Sequence, residues 1–217
     1  MIPKGHRLHV DLDAIETGDP ALPLRSALAA LDDIYRALDD RLRATTGRLS
    51  LPCYEPRDGC ATCSQCCHES VFLTPLEWLR VVDYAQTHLE PDAYEAMIGG
   101  GLSLYAAHQQ TIAAFMQPPP DGERDHFFLA RHLRFRCPLL GAAGCSVYPA
   151  REVLGRLFGQ AFNKDGGVYG CALSGAFFGG KTATLVRADP WAARLEALPL
   201  TQYRQVYPWY FQITYGG

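Results

Sequence analysis

The sequence predicts a mainly α-helical chain with a small β-hairpin and a loop-rich, cysteine-lined metal-binding region. Three observations carry that prediction. Leu24, Leu28, Leu31, Tyr35, Leu38 and Leu42 recur at spacings of three and four, the apolar stripe of an amphipathic helix. Thr74-Pro75-Leu76-Glu77 has the S/T-x-x-E form of a capping box, with proline at the first helical position, so a second helix starts there. Cys60, Cys63, Cys66 and Cys67 crowd into the run CATCSQCC, in a stretch punctuated by Pro52, Pro56 and Gly59.

The elements follow in chain order. The first helix is expected over residues 20–46, with Asp32, Asp33, Asp39, Asp40, Arg41 and Arg43 between the apolar positions and Gly47 as a C-terminal stop. Residues 49–69 read as loop. The second helix runs from Thr74 through Trp78, Leu79, Val82 and Ala85 to His88. Pro91 opens a third helical stretch, expected to break at Gly99-Gly100-Gly101 and to resume as far as Met116, before Pro118-Pro119-Pro120 forces an extended linker. Leu133, Phe135 and Cys137 alternate with Arg134 and Arg136, the pattern of a half-exposed strand. Gly141-Ala142-Ala143-Gly144 then makes a turn and Cys145 to Tyr148 a return strand, a hairpin that would hold Cys137 and Cys145 near each other. Pro149 is expected to start a short helix to Phe158, and the remainder reads as turn-rich and aromatic, with Cys171 in VYGC. One domain is expected over residues 1–217, with a metal-binding core at 53–171 and the 20–46 helix packed on it.

Composition narrows the function classes. At 217 residues and 48% hydrophobic, the chain can bury one good core. A net charge of −3 gives no basic footprint for a nucleic-acid partner. No apolar run is long enough to span a bilayer, so no membrane partner is expected. In MIPKGHRLHVDLDAIE acids stand where a signal peptide needs an apolar stretch, so the expected compartment is the cytoplasm. The eight cysteines are then read as reduced. A disulfide framework is the weaker reading, because vicinal Cys66 and Cys67 pair only with strain and the chain is large enough to fold without staples.

Thiolates at C-x-x-C-x-x-C spacing can turn toward one soft cation, and zinc or an iron–sulfur cluster is the species that wants them. A loop tripod leaves a coordination position for a remote ligand, which Cys137 and Cys145 are placed to fill. Cys171 reads equally as a ligand or a buried thiol, and Cys53 has no partner at ligand spacing. His68 could complete a Cys₃His zinc site, although a solvated loop histidine is the simpler reading. Ile98-Gly-Gly-Gly101-Leu-Ser lacks the strand-before, helix-after frame of a dinucleotide loop.

These residues resemble the YkgJ-type cysteine-cluster family, the CxxCxxCC zinc- or iron-chelating proteins. The likeness covers CATCSQCC at 60–67, SVFLTPLEW at 70–78, RCPLLGAAGCSVYPAR at 136–151 and GRLFG at 155–159. Where the family pattern reads like CSIYxxRPxxCR, this chain reads CSVYPAREVLGR, with Glu152 in place of the proline and Gly155 in place of a further cysteine. Arg151 and Arg156 keep the flanking positives, whose charge would offset that of a thiolate cluster. The resemblance implies a metal-binding domain. Some members are described as iron–sulfur oxidoreductases, and flagellin lysine N-methylases share the cysteine pattern, although no S-adenosylmethionine loop is recognisable here. The expectation is a cytoplasmic, bacterial-type metal protein holding an iron–sulfur cluster, of the 4Fe–4S type, through Cys60, Cys63, Cys66 or Cys67, Cys137 and Cys145, with Cys171 in reserve. A structural zinc site and a protein lysine N-methylase-like enzyme are the alternatives, and the protein partner or substrate is not specified by the sequence.

Overall fold

The computed structural model of the chain describes residues 9–46, 65–116, 133–141, 144–164, 166–170 and 185–216. Among them it is mainly α-helical, with six α-helices and three small sheets.

Helix α1 (Leu24–Thr46) buries the whole predicted stripe from Leu24 to Leu42 and adds Ala27 and Ile34. It starts four residues later than the periodicity suggests, because residues 20–23 form a turn instead. Asp19 holds that turn, its carboxylate accepting the Ala21 amide at 2.9 Å and its carbonyl the Leu22 amide at 3.1 Å. Helix α2 (Pro75–His88) begins on the predicted capping box, with the Glu77 amide donating to Thr74 Oγ1 at 3.3 Å and the Thr74 amide to Glu77 Oε2 at 2.8 Å.

Helix α3 (Pro91–Met116) runs unbroken through Gly99-Gly100-Gly101, against the expected interruption. The reason is a helix from the far end of the chain. A Cβ on Gly101 would overlap the ring of Phe211, so the glycine lets that ring lie directly on the α3 backbone. The close approach offsets the roughly 1 kcal/mol of helix propensity that a glycine forgoes.

Residues 133–137 form no strand, although Leu133 and Phe135 are buried and Arg134 and Arg136 exposed as the alternation requires. The period of two reports an extended segment lying on the core without a ladder partner among the described residues. The hairpin itself is present and short: β2 (Leu140–Gly141) pairs with β3 (Gly144–Cys145), Leu140 opposite Cys145. Pro149 starts only a 3₁₀ turn, Tyr148–Ala150. Arg151 and Glu152 are then extended, and α4 (Val153–Phe158) begins beyond them. The break has a cause, since the buried guanidinium of Arg156 donates to the carbonyls of Tyr148, Pro149 and Arg151 at 3.0, 2.8 and 2.7 Å.

The closing segment is more regular than its composition suggests. Helices α5 (Asp189–Glu196) and α6 (Tyr207–Tyr215) occupy it. Tyr207, Tyr210, Phe211 and Tyr215 make the buried face of α6 at helical spacing. Strand β4 (Phe162–Lys164) pairs antiparallel with β5 (Gly167–Tyr169) and parallel with β6 (Val186–Arg187), while β1 (Phe72–Leu73) pairs antiparallel with β7 (Gln205–Val206). One apolar cluster gathers α1 with Leu76, Val153, Leu157, Phe162 and Leu195. A second gathers Trp78, Tyr94, Ile98, Tyr207, Tyr210 and Phe211, and it is against this one that Cys137 and Cys145 pack. No helix among the described residues is long and apolar enough to cross a membrane.

Candidate metal centre

Backbone pairing brings the two cysteine regions together. Gln65 to His68 form a 3₁₀ turn, and the Cys67 carbonyl at its end accepts the Cys137 amide at 2.7 Å. The Cys137 carbonyl in turn accepts the Leu140 amide at 3.1 Å, which starts the hairpin. Ser146 ties the return limb back, its amide and hydroxyl both donating to the Leu139 carbonyl at 2.9 and 2.8 Å. Cys145 lies opposite Leu140 in that hairpin, so Cys67, Cys137 and Cys145 belong to one neighbourhood.

The electrostatics are those of thiols short of compensation. Burial pushes the Cys145 thiol up to about 11, a rise that Glu152 and Cys67 reinforce and Arg151 opposes. Burial drives Cys137 further up in the same direction, and the like charges of Cys145, Cys67 and Glu152 add to it. Without a cation to compensate them, such thiols stay protonated at neutral pH. A soft cation inverts that balance, since binding displaces the thiol protons. In kind, this donor set fits zinc or an iron–sulfur cluster.

Two further groups, outside the set the sequence points to, share the neighbourhood. Glu152 is buried, 1% exposed, and its carboxylate accepts a hydrogen bond from the Tyr207 hydroxyl. Tyr207 is itself buried in the cluster that carries Cys137 and Cys145. The only hint in the sequence is that Glu152 replaces the proline of the resembled pattern; nothing there marks Tyr207.

The two flanking arginines part company. Arg151 is buried and favours the ionised form of Cys145. Arg156 is committed to structure: besides its carbonyl partners it pairs with Asp39 of α1 and stacks 4.3 Å from the Tyr35 ring centre and 5.3 Å from that of Tyr148. His68 is exposed. Cys53, Cys60, Cys63, Cys171 and the side chain of Cys66 lie outside the described residues. Among the described residues, no three His, Cys, Asp or Glu side chains are grouped closely enough to hold a metal ion by themselves. No family model, no curated protein and no solved structure matches the chain.

Proposed function

We propose that the chain is a metal-binding protein in which Cys60, Cys63, Cys66 or Cys67, Cys137 and Cys145 hold an iron–sulfur cluster of the 4Fe–4S type, with Cys171 as a reserve donor. The observation that carries this reading is the bond from the Cys137 amide to the Cys67 carbonyl, which sets the end of the CATCSQCC run against the hairpin bearing Cys145. The resemblance to the YkgJ-type family supports the same class. A cluster bound there would supply electron transfer or Lewis-acid activation at an open iron. The chain's own groups set the conditions: Cys137 and Cys145 give up their protons on binding, Arg151 offsets part of the thiolate charge, and Trp78, Tyr207 and Phe211 form the apolar bed on which the hairpin rests. A cytoplasmic location and action on a protein partner or substrate belong to this proposal, the location because reduced cysteines require a reducing compartment.

Metal analysis and a visible spectrum of protein purified without oxygen test the reading. Iron and sulfide with a broad absorbance near about 400 nm would support it. Stoichiometric zinc with a flat visible spectrum would replace the cluster by a structural zinc site, and neither metal would remove the reading altogether. The lysine N-methylase alternative rests on the shared cysteine pattern alone, and an absence of calorimetric heat with S-adenosylmethionine would dispose of it.

A further inference from the structure

We propose that Tyr207, Trp78, Tyr210, Trp209 and Tyr203 form a one-electron relay. An oxidising equivalent taken up at the surface by Tyr203 comes to rest on Tyr207, and Glu152 accepts the phenolic proton. This goes beyond the metal-binding reading and does not depend on it, since no cysteine or metal takes part.

The five side chains are linked ring to ring. Tyr207 meets Trp78 with ring centres 6.3 Å apart and an interplanar angle of 65°. Trp78 stacks on Tyr210 at 5.5 Å and 18°. Tyr210 meets Trp209 edge-on at 5.1 Å and 80°, and Trp209 meets Tyr203 at 6.2 Å and 90°. Each spacing is that of rings in contact. Electron transfer slows exponentially with the gap between donor and acceptor, so these contact steps replace one long jump through the core. Tryptophan and tyrosine are the aromatic side chains that yield an electron, and every link is one or the other. Phe211, whose ring centre lies 4.8 Å from that of Trp78, is a side contact and not a link.

The two ends differ as a relay requires. Tyr203 is 47% exposed, whereas Tyr207, Tyr210 and Trp78 are buried, so an oxidant in solution meets the Tyr203 end. At the other end the Tyr207 hydroxyl donates to the Glu152 carboxylate. Loss of an electron makes a phenol strongly acidic, so the hole settles where a base already holds the hydroxyl. The buried links between the ends lack one: the Tyr210 hydroxyl donates to the Leu73 carbonyl at 2.9 Å and Trp78 Nε1 to Thr214 Oγ1 at 2.9 Å. Neither a carbonyl nor an alcohol retains a proton at neutral pH. Burial holds the Tyr207 phenol protonated at rest, so its proton leaves with the electron. Arg151 Nε borders the same space as the Glu152 carboxylate, a cation beside the resting anion.

The step balances. One electron passes from Tyr207 through Trp78, Tyr210, Trp209 and Tyr203 to a one-electron oxidant in solution, such as a peroxyl radical or a high-potential metal complex. The Tyr207 proton crosses its hydrogen bond to Glu152, leaving a neutral phenoxyl radical and a carboxylic acid.

Flash–quench oxidation tests the relay. The full chain is kept with Zn²⁺, so that any metal site holds an ion without redox chemistry. Photogenerated tris(bipyridine)ruthenium(III) oxidises it, and transient absorption and EPR read the radical. Ring-deuterated tyrosine should narrow the EPR spectrum, and Tyr207→Phe should remove the long-lived tyrosyl signal. Glu152→Gln keeps the shape and an acceptor for the hydroxyl but takes up no proton, and should slow the signal's appearance by about a hundredfold. Trp209→Phe exchanges a half-buried link for a ring that does not yield an electron, and should slow it too. Thermal melts confirm that each variant is folded. A tyrosyl signal unchanged in Tyr207→Phe overturns the proposal, as does a terminal radical on tryptophan or sulfur. An unchanged rate in either Glu152→Gln or Trp209→Phe overturns it as well, and each of these results leaves the metal-binding reading standing.

Discussion

Oε1 of Glu77 accepts the amide of Val153 at 2.9 Å, joining the starts of two helices that are far apart in the chain. The other oxygen of the same carboxylate closes the α2 capping box on Thr74. One fully buried side chain thus fixes α2 relative to α4, and with it the segment that carries Arg151, Glu152 and Gly155. Removing it would strand two buried amides. Glu77→Ala is expected to destabilise the fold by about 3 kcal/mol, the summed cost of orphaned donors and a lost cap. Chemical denaturation of the metal-free protein measures it, and a loss below about 0.5 kcal/mol would show that the carboxylate is dispensable.

The same residue gives stability a pH dependence of definite sign. Burial raises the Glu77 carboxyl above its ordinary value of 4.5, although Arg204 and the amides of Thr74 and Val153 pull it back. The folded state therefore holds this proton more tightly than the unfolded state. Its contribution is fully present below about 4.5 and is lost as pH rises through the raised folded value. Glu77→Gln cannot titrate. The stability of the unmodified chain relative to Glu77→Gln is expected to fall as pH climbs above 4.5; a difference that stays flat or rises would contradict the assignment.

Gly101 and Gly100 are adjacent in α3 and should respond in opposite directions to the same substitution. Propensity alone favours alanine in a helix interior by about 1 kcal/mol. At position 100 the new methyl would meet only Pro138 Cβ, at an ordinary 3.5 Å, so Gly100→Ala is expected to be neutral or stabilising. At position 101 it would overlap the Phe211 ring, so Gly101→Ala should cost about 1–3 kcal/mol net through overpacking. Thermal melts of the two variants decide the matter, and equal shifts would mean that α6 does not seat on the glycine.

These contrasts show what the sequence could and could not convey. The α1 stripe and the Thr74–Glu77 box were legible because their signals are local: a periodicity and a four-residue cap. The glycine run was misread because its use depends on Phe211, a residue remote in the chain. The helical spacing of Tyr207, Tyr210, Phe211 and Tyr215 was there to be found, but dense aromatics bounded by Pro208 and glycines read as irregular. The hairpin that follows Cys137 and carries Cys145 was legible from its turn residues, whereas the meeting of the Cys137 amide with the Cys67 carbonyl is a tertiary fact. The buried place of Glu152 was not legible, since it follows from a side chain that Gly155 lacks and from a hydroxyl on α6. Arg156 was legible only as a charge; its commitment to three carbonyls and Asp39 is a tertiary fact.

The relation between Glu152 and Gly155 makes a cysteine at position 155 a conditional gain. Gly155→Cys alone puts a side chain into space the Glu152 carboxylate fills, so it should destabilise the segment. Glu152→Pro removes the nearer obstacle and leaves Arg151 Nε, 2.7 Å from the new Cβ, to shift aside. The backbone there already suits proline: Glu152 has φ −61°, Arg151 before it is extended at φ −64° and ψ 136°, and no hydrogen bond among the described residues uses the Glu152 amide. The double variant Glu152→Pro/Gly155→Cys is therefore expected to fold and to melt higher than Gly155→Cys alone. Equal melting temperatures for the single and double variants would mean that the Glu152 carboxylate does not fill the position.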